Sequence, residues 1–374
     1  MSATTSPSGN SSGRASVPPA GRPGSPGGPG RSHGSGGSYR GGRTKPRWGR
    51  IALVAGAVVL LLAVIGGIYA VNYVNGIDDN LKRTDAFAGI TADRPAKTVD
   101  GAFNILLVGS DSRDPDAKED QANAWRADTL MLMHVPADHK SAQLISIPRD
   151  LWVVVPKENG AACGDGSRAK INASFAFGGL PRAVHTVECL TGVKVDHVVA
   201  IDFGGFKEVT NALGGVDLYV DRTITSIHKP HRVFKKGMMH MNGAQALDWV
   251  RQRYQFPRGD FDRVKHQQEF LKAIMDKAAS SGTLTNPGKL DDFLTAAAAA
   301  VTVDQDFSLK DIALQFHSLR SDNLTFMTSP NKGSETINGQ SVVVSDREKA
   351  LALFEAVKSD KMADYLAANP VKKS

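Results

Sequence analysis

The sequence predicts an α/β domain built on a mixed central β-sheet flanked by helices in a sandwich, preceded by one transmembrane helix. Three observations carry this. Short β-branched runs interleave with helical periods between residues 101 and 366, one apolar run near the N-terminus is long enough to cross a bilayer, and the segment before it cannot build a core.

Residues 1–50 are mostly Gly, Ser, Pro and Arg with almost no aliphatics, so burial could not offset the entropy of ordering them. A disordered tail is expected. The formal net charge is +7, yet Arg14, Arg22, Arg31, Arg40, Arg43, Lys45, Arg47 and Arg50 all lie in this tail, which holds no acid. The folded part is therefore close to neutral, and no nucleic-acid partner is expected. The Gly30–Gly34 match to a serine-hydrolase elbow falls in the same tail, without the strand and helix that such a turn needs.

From Ile51 to Val71, about 21 uncharged residues would form a helix of roughly 31 Å, the thickness of a hydrocarbon core. The expected span is 51–73, with Trp48, Tyr69 and Tyr73 at its interfaces. A cleaved signal peptide is the rival reading, although its apolar stretch is usually shorter and follows a brief basic start. Basic residues from Arg40 to Arg50 outweigh the mixed charges after the span. That bias places the tail in the cytoplasm and the rest outside, as a single-pass protein of the cell membrane. Residues 74–100 are polar and mixed, and read as a stalk.

Strands are expected at 104–109, 129–135, 142–148, 151–155, near 193–200 and at 216–220. Two later runs, 324–329 and 340–345, are expected to return to the same sheet. Helical periods fall around 179–191, 203–213, 242–250, 263–279, 289–301, 308–320 and 346–358. A single domain, 101–366, accommodates them. Cys163 and Cys189 would lie outside the cell, where a disulfide between them competes with the reading of two buried thiols. Neither a CxxC nor an HExxH pattern occurs, so zinc has no support.

The candidate chemistry collects at strand ends, where open α/β sheets keep their ligands. The first strand runs into Asp111, and Arg126 and Asp128 stand two apart just before the next. Two carboxylates on neighbouring strands could hold one magnesium ion, or they are simply loop acids. Arg149 follows the third strand. The densest cluster is VRQRYQFPRGDFDRVKHQQ: Arg251 and Arg253 alternate on an extended segment, Asp260 sits in a turn, and Arg263 and Gln267 share a helix face. Such a gathering of guanidiniums suits phosphate, while a solvated basic face, which would more naturally use Lys, is the alternative.

The ordered motifs NILLVGSDSRD, RADTLMLMHV, ISIPRDLWV, KINASFAFGG, AIDFGGFKEVTNALGGVDLYV and MNGAQALDWVRQRYQFPRGDFDRVKHQQ resemble the LytR-CpsA-Psr family of bacterial cell-wall enzymes, densely over residues 100–280. The resemblance implies a phosphotransferase that moves a glycan from a polyprenyl-pyrophosphate carrier to peptidoglycan, typically at the muramic acid 6-hydroxyl, through a phosphodiester. It implies magnesium, or manganese in its place, on Asp111 and Asp128. It implies a pyrophosphate grip by Arg126, Arg149, Arg251, Arg253, Arg263 and Gln267, with Asp260 orienting the arginines or acting as base. Phe175, Phe177 and Phe206 are candidates for lining a lipid tunnel. A polyprenyl-pyrophosphate hydrolase and a membrane-bound regulator of envelope genes are the alternative functions. Arabinogalactan and teichoic-type polymers are the candidate cargoes, and the bilayer is an implied partner.

Overall fold

The computed structural model describes residues 76, 78–79, 81–90, 94–110, 127–280, 286–308, 311–312 and 321–371. The expected span at 51–73 lies outside them, and no helix among the described residues is long and apolar enough to cross a membrane.

Strand β1 (Lys82–Thr84) is followed by β2 (Phe103–Ser110), β3 (Ala127–Val135), β4 (Ala142–Ile147) and a hairpin of β5 (Trp152–Pro156) with β6 (Gly166–Lys170). Helix α1 (Ala173–Thr191), β7 (His197–Asp202) and α2 (Phe203–Ala212) come next. Strands β8 (Val216–Val220), β9 (Ile224–Thr225), β10 (Val233–Phe234) and β11 (Gly237–Met241) lead to α3 (Gly243–Val250), α4 (Asp260–Ser280) and α5 (Pro287–Ala300). The chain closes with β12 (Val301–Asp304), β13 (Leu324–Thr328), β14 (Asn331–Ile337), β15 (Gln340–Ser345), α6 (Arg347–Lys358) and α7 (Met362–Ala368).

Seven strands form one sheet in the order β1-β12-β7-β2-β3-β4-β13. Pairs β1–β12, β2–β7 and β4–β13 are parallel and the other three antiparallel, so the sheet is mixed. Residues 324–328 return to it, but 340–345 do not. There Asn338 and Gly339, both with positive φ, turn the chain directly from Ile337 to Gln340, and β15 pairs with β14 instead. The expected stalk is also partly folded. β1 forms the edge of the sheet, Leu81, Ala86 and Ile90 are buried, and Arg94 pairs with buried Glu188 at 2.8 Å. A three-residue edge strand beginning Lys-Arg gives no apolar period to read. Helix α1 starts six residues before its expected position because Gly178 and Gly179 break its periodicity with a kink.

Alternation along the strands separates two apolar faces. Leu106, Val108, Leu130, Leu132 and Val198 point to one, where Val184 and Val187 of α1 and Leu353, Phe354 and Val357 of α6 complete a core. Each such fully buried aliphatic contributes about 1.5–3 kcal/mol before ordering entropy is subtracted. The other face carries Leu107, Met131 and Val199 in register across β3, β2 and β7. Helices α2, α3 and α4 cover it with a second apolar cluster that includes Phe203, Phe206, Leu247, Trp249, Val250 and Phe270.

Candidate active site

The pairing directions bring the C-terminal ends of β2, β4 and β7 and the N-terminal end of β3 to one edge of the sheet. At that edge Gly109 pairs with Thr129 but Ser110 with Ala127, so Asp128 is the extra residue of a β-bulge, a device that re-aims a side chain. Two residues beyond the Leu130–Ile147 pair, the β3–β4 register sets Arg149 opposite Asp128. Arg149 Nη1 donates to Asp128 Oδ1.

From there a continuous ion network runs to α4. Arg149 Nε lies 3.6 Å from Asp260 Oδ1 and 3.8 Å from Asp150 Oδ2. Lys170 Nζ, 3.3 Å from Asp150 Oδ1, shares that second carboxylate. Asp260 opens α4 rather than sitting in a turn, and one helical step later Arg263 Nη2 reaches its Oδ1 at 2.7 Å. Arg263 Nη2 also donates to the Asp128 carbonyl at 3.4 Å. The sequence-predicted Asp128, Arg149, Asp260 and Arg263 are thus in one cluster. Asp111 and Arg126 lie outside the described residues.

Electrostatics divides the two central arginines. Burial pulls the Arg149 pKa down, but the carboxylates of Asp128, Asp260 and Asp150 outweigh it and hold the value above the ordinary one. Arg263, only 5% exposed, is pushed below its ordinary value by burial; Asp260 opposes this, while the positive charges of Arg149 and Arg253 add to it. It stays a cation at any physiological pH, so the shift measures how poorly the charge is compensated. Arg149 Nε and Arg263 Nε are buried without a hydrogen bond, a condition that an arriving anion would relieve.

Arg251 and Arg253 do not lie on an extended segment. Helix α3 ends at Val250, Arg251 still has helical backbone angles, and the chain turns through residues 251–256. The signal that sequence reading missed is Gln252, which is fully buried. Its Nε2 donates to Ser226 Oγ (2.8 Å), Asp248 Oδ1 (2.7 Å) and the Asp248 carbonyl (2.9 Å). With Gln252 pinned inward, its two neighbours are less buried. Arg251 packs over the Phe203 ring at 4.4 Å, and Arg253 over the Tyr254 ring at 4.3 Å while donating to its hydroxyl.

Behind the cluster a cavity of about 250 Å³ opens between sheet and helices. Its floor is the second face of the sheet, including Leu107, Gly109, Thr129, Met131, Val199 and Ile201. Gly109 is required there because a Cβ would stand 2.9 Å from Thr129 Cβ. Phe203, Phe206, Leu247, Val250, Phe270 and Leu271 form the walls, with Phe206 and Phe270 stacked at 4.1 Å. Polar groups also line it: Ser110, Asp128, Asp202, Arg251, Arg263 and Gln267. Of the three candidate tunnel aromatics only Phe206 lines this space. Phe177 is exposed, and Phe175 packs against the core on the opposite face. Arg253 is not in the lining. An apolar cavity bordered by guanidiniums can take an apolar group that carries an anion such as phosphate.

Of the two carboxylates expected to hold a cation, the described residues include Asp128, whose Oδ1 accepts from Arg149. Magnesium commonly takes one or two carboxylates and shares phosphate oxygens, so this donor is of a type that fits. Cys163 and Cys189 are joined in a disulfide with Cα atoms 5.2 Å apart, beside α6 on the other face of the sheet.

Residues 69–359 match the model of the LytR_cpsA_psr family. The chain is 33% identical over 338 residues to the cell wall biosynthesis protein LcpA of Corynebacterium glutamicum, covering 81% of this chain and 64% of LcpA, less than two thirds of that relative. It is 32% identical over 264 residues to the polyisoprenyl-teichoic acid–peptidoglycan teichoic acid transferase TagU of Bacillus mycoides, covering 68% of this chain and 80% of that one. The crystal structure of B. subtilis TagV aligns with a TM-score of 0.58 at 28% identity, over 70% of this chain and 99% of TagV. Because the match runs from before β1 through α6, and so takes in the sheet, the helices over it and the arginine cluster between them, the chain belongs to the LytR_cpsA_psr family.

Proposed function

We propose that this chain is a membrane-anchored phosphotransferase that moves a glycopolymer from a polyprenyl-pyrophosphate carrier to the muramic acid 6-hydroxyl of peptidoglycan. The observation that carries this is the apolar cavity bordered by Arg251 and Arg263, with Arg149 next to it and two buried guanidinium nitrogens, Arg149 Nε and Arg263 Nε, without a hydrogen bond. The transferase name of TagU supports the same class of reaction.

In this reading the polyprenyl chain enters the cavity and its pyrophosphate rests among Arg149, Arg251, Arg253, Arg263 and Gln267, joined by Arg126. The acceptor hydroxyl attacks the glycan-linked phosphorus, forming the new P–O bond. The bridging P–O bond breaks and polyprenyl phosphate leaves with the electron pair. Charge develops on the equatorial and leaving oxygens, where guanidiniums already stand in place. Asp260, bracketed by Arg149 and Arg263, orients both, and the hydroxyl proton passes to a site carboxylate, Asp111 or Asp260. Magnesium on Asp111 and Asp128, or manganese in its place, would add positive charge at the phosphate oxygens. The hydropathy of residues 51–73 and the basic residues before them support an anchor with the tail inside and the domain outside. Teichoic-type polymers are the first cargo to test and arabinogalactan the second.

The test is incubation of the full chain, in vesicles, with a lipid-linked glycan and peptidoglycan fragments. A glycan–peptidoglycan conjugate is expected. Phosphate release with no conjugate would overturn the transferase reading in favour of a hydrolase.

A further inference from the structure

Strands β8 to β11 form one antiparallel hairpin, 216–241, outside the central sheet. Between the Val220–Gly237 and Ile224–Phe234 pairs stand residues 221–223 on one arm and 235–236 on the other, so one extra residue separates the two ladders. The inner face is buried through Val216, Leu218, Val220, Ile224 and Phe234. The outer side leaves Ile227, Val233 and Met238 exposed at 45%, 53% and 67%, unusual for large apolar groups on one element.

Charge distinguishes this stretch further. From Arg222 to Lys236 there are five Lys and Arg residues and no acid. Arg232 is engaged by Asp248, and Arg222 lies near Asp221. Lys229, Lys235 and Lys236 are exposed, and no carboxylate among the described residues pairs with them. The hairpin is also tied to the loop that carries Arg251 and Arg253. Gln255 Nε2 donates to the Thr225 carbonyl at 3.0 Å, and Ser226 Oγ donates to Asp248 Oδ1 at 2.6 Å.

We propose that the outer side of this hairpin docks the domain on an anionic bilayer surface: Ile227, Val233 and Met238 enter the interface, and Lys229, Lys235 and Lys236 meet lipid phosphates. Exposed apolar groups interleaved with lysines fit a headgroup layer, where aliphatic side chains find acyl surface and ammonium groups find anions. A purely hydrophilic anionic polymer would leave the apolar residues unused. Docking at this place holds the arginine loop at the depth of a lipid phosphate, and it is a contact separate from the reaction and from the anchoring span.

Both native cysteines are in the disulfide, so Val233→Cys gives a single labelling position for an environment-sensitive fluorophore. The full chain is mixed with vesicles of phosphatidylcholine alone or with phosphatidylglycerol added, and flotation separately reports whether it is membrane-bound. With phosphatidylglycerol the emission should shift to the blue and be quenched by lipid-borne nitroxides. The shift should weaken at 1 M salt, where screening shortens to about 3 Å, and disappear in Lys229→Glu/Lys235→Glu/Lys236→Glu. The same fluorophore at Leu351→Cys, on α6 over the opposite face, should not respond. An unshifted Val233 reporter on chain that floats with phosphatidylglycerol vesicles would overturn the proposal. So would an equal response at Leu351, or a shift caused by soluble polyphosphate without vesicles. None of these readouts involves transfer, so failure of the transferase reading leaves them standing.

Discussion

Replacing Arg263 by Met separates the structural and chemical roles of the arginine cluster. The guanidinium is 6% exposed, lies 2.7 Å from Asp260 Oδ1, and has a buried Nε without a hydrogen bond. Removing one partner of a buried ion pair commonly costs about 3–5 kcal/mol because the other charge is stranded. Here Asp260 retains Arg149 Nε at 3.6 Å, and the lost cation was itself incompletely compensated, so about 1–3 kcal/mol is expected for Arg263→Met. Asp260→Asn/Arg263→Met removes the stranded carboxylate and should return stability to within about 1 kcal/mol of the parent. Transfer should behave differently. Loss of a positioned donor to transition-state charge lowers kcat by about 10²–10³, and the double variant should recover none of it. Urea unfolding followed by circular dichroism reads the first quantity, and conjugate formation the second. A single variant with nearly full transfer, or a double variant no more stable than the single, would refute the reasoning.

Three further outcomes follow from the geometry. Burial among Trp249 and Phe256 pushes His266 from 6.5 down to about 4. The unfolded chain therefore takes up a proton that the folded one refuses, and stability, fully present above pH 6.5, should fall by up to roughly 3 kcal/mol as pH drops to about 4. His134, also lowered by burial, acts in the same direction, so unfolding midpoints at pH 7 and 4.5 should differ, and His266→Gln should shrink the difference. Ile201→Trp fills the cavity floor and should lower transfer about tenfold or more from a long-chain carrier but less from a short one; equal effects would show that the chain lies elsewhere. Cys163→Ala/Cys189→Ala opens a loop of 26 residues and should cost about 3.5 kcal/mol in urea unfolding with little change in kcat.

Much of this was legible in the sequence because period and register coincide. Strands β2, β3 and β4 are apolar on both faces, which marks a sheet covered on both sides, and Arg149 and Asp128 follow from strand ends. What could not be read arises from contacts between distant segments. Edge strand β1 is polar and is held by pairing with β12 and by Lys82 and Arg83 bonds to carbonyls around it, all more than two hundred residues later. The loop of Arg251 and Arg253 is shaped by buried Gln252 reaching Ser226, a contact that no local period encodes. Most cavity walls were missed for a similar reason. Phe206 is among the aromatics expected to line a tunnel, but Phe203 and Phe270 look like ordinary core positions along their helices, and only the register of Gly109 with Thr129 leaves room beneath them. Residues 340–345 have strand character and nothing in their own pattern to tell a seven-stranded sheet from a hairpin; the Asn338-Gly339 turn decides.

The most direct test follows the phosphorus. With the full chain, peptidoglycan and a polyprenyl-pyrophosphate glycan labelled only at the glycan-attached phosphorus, the label is expected in the peptidoglycan fraction, linked through a phosphodiester, while polyprenyl monophosphate stays unlabelled. Label released as inorganic phosphate, or retained on a glycan never joined to peptidoglycan, would contradict the proposed transfer.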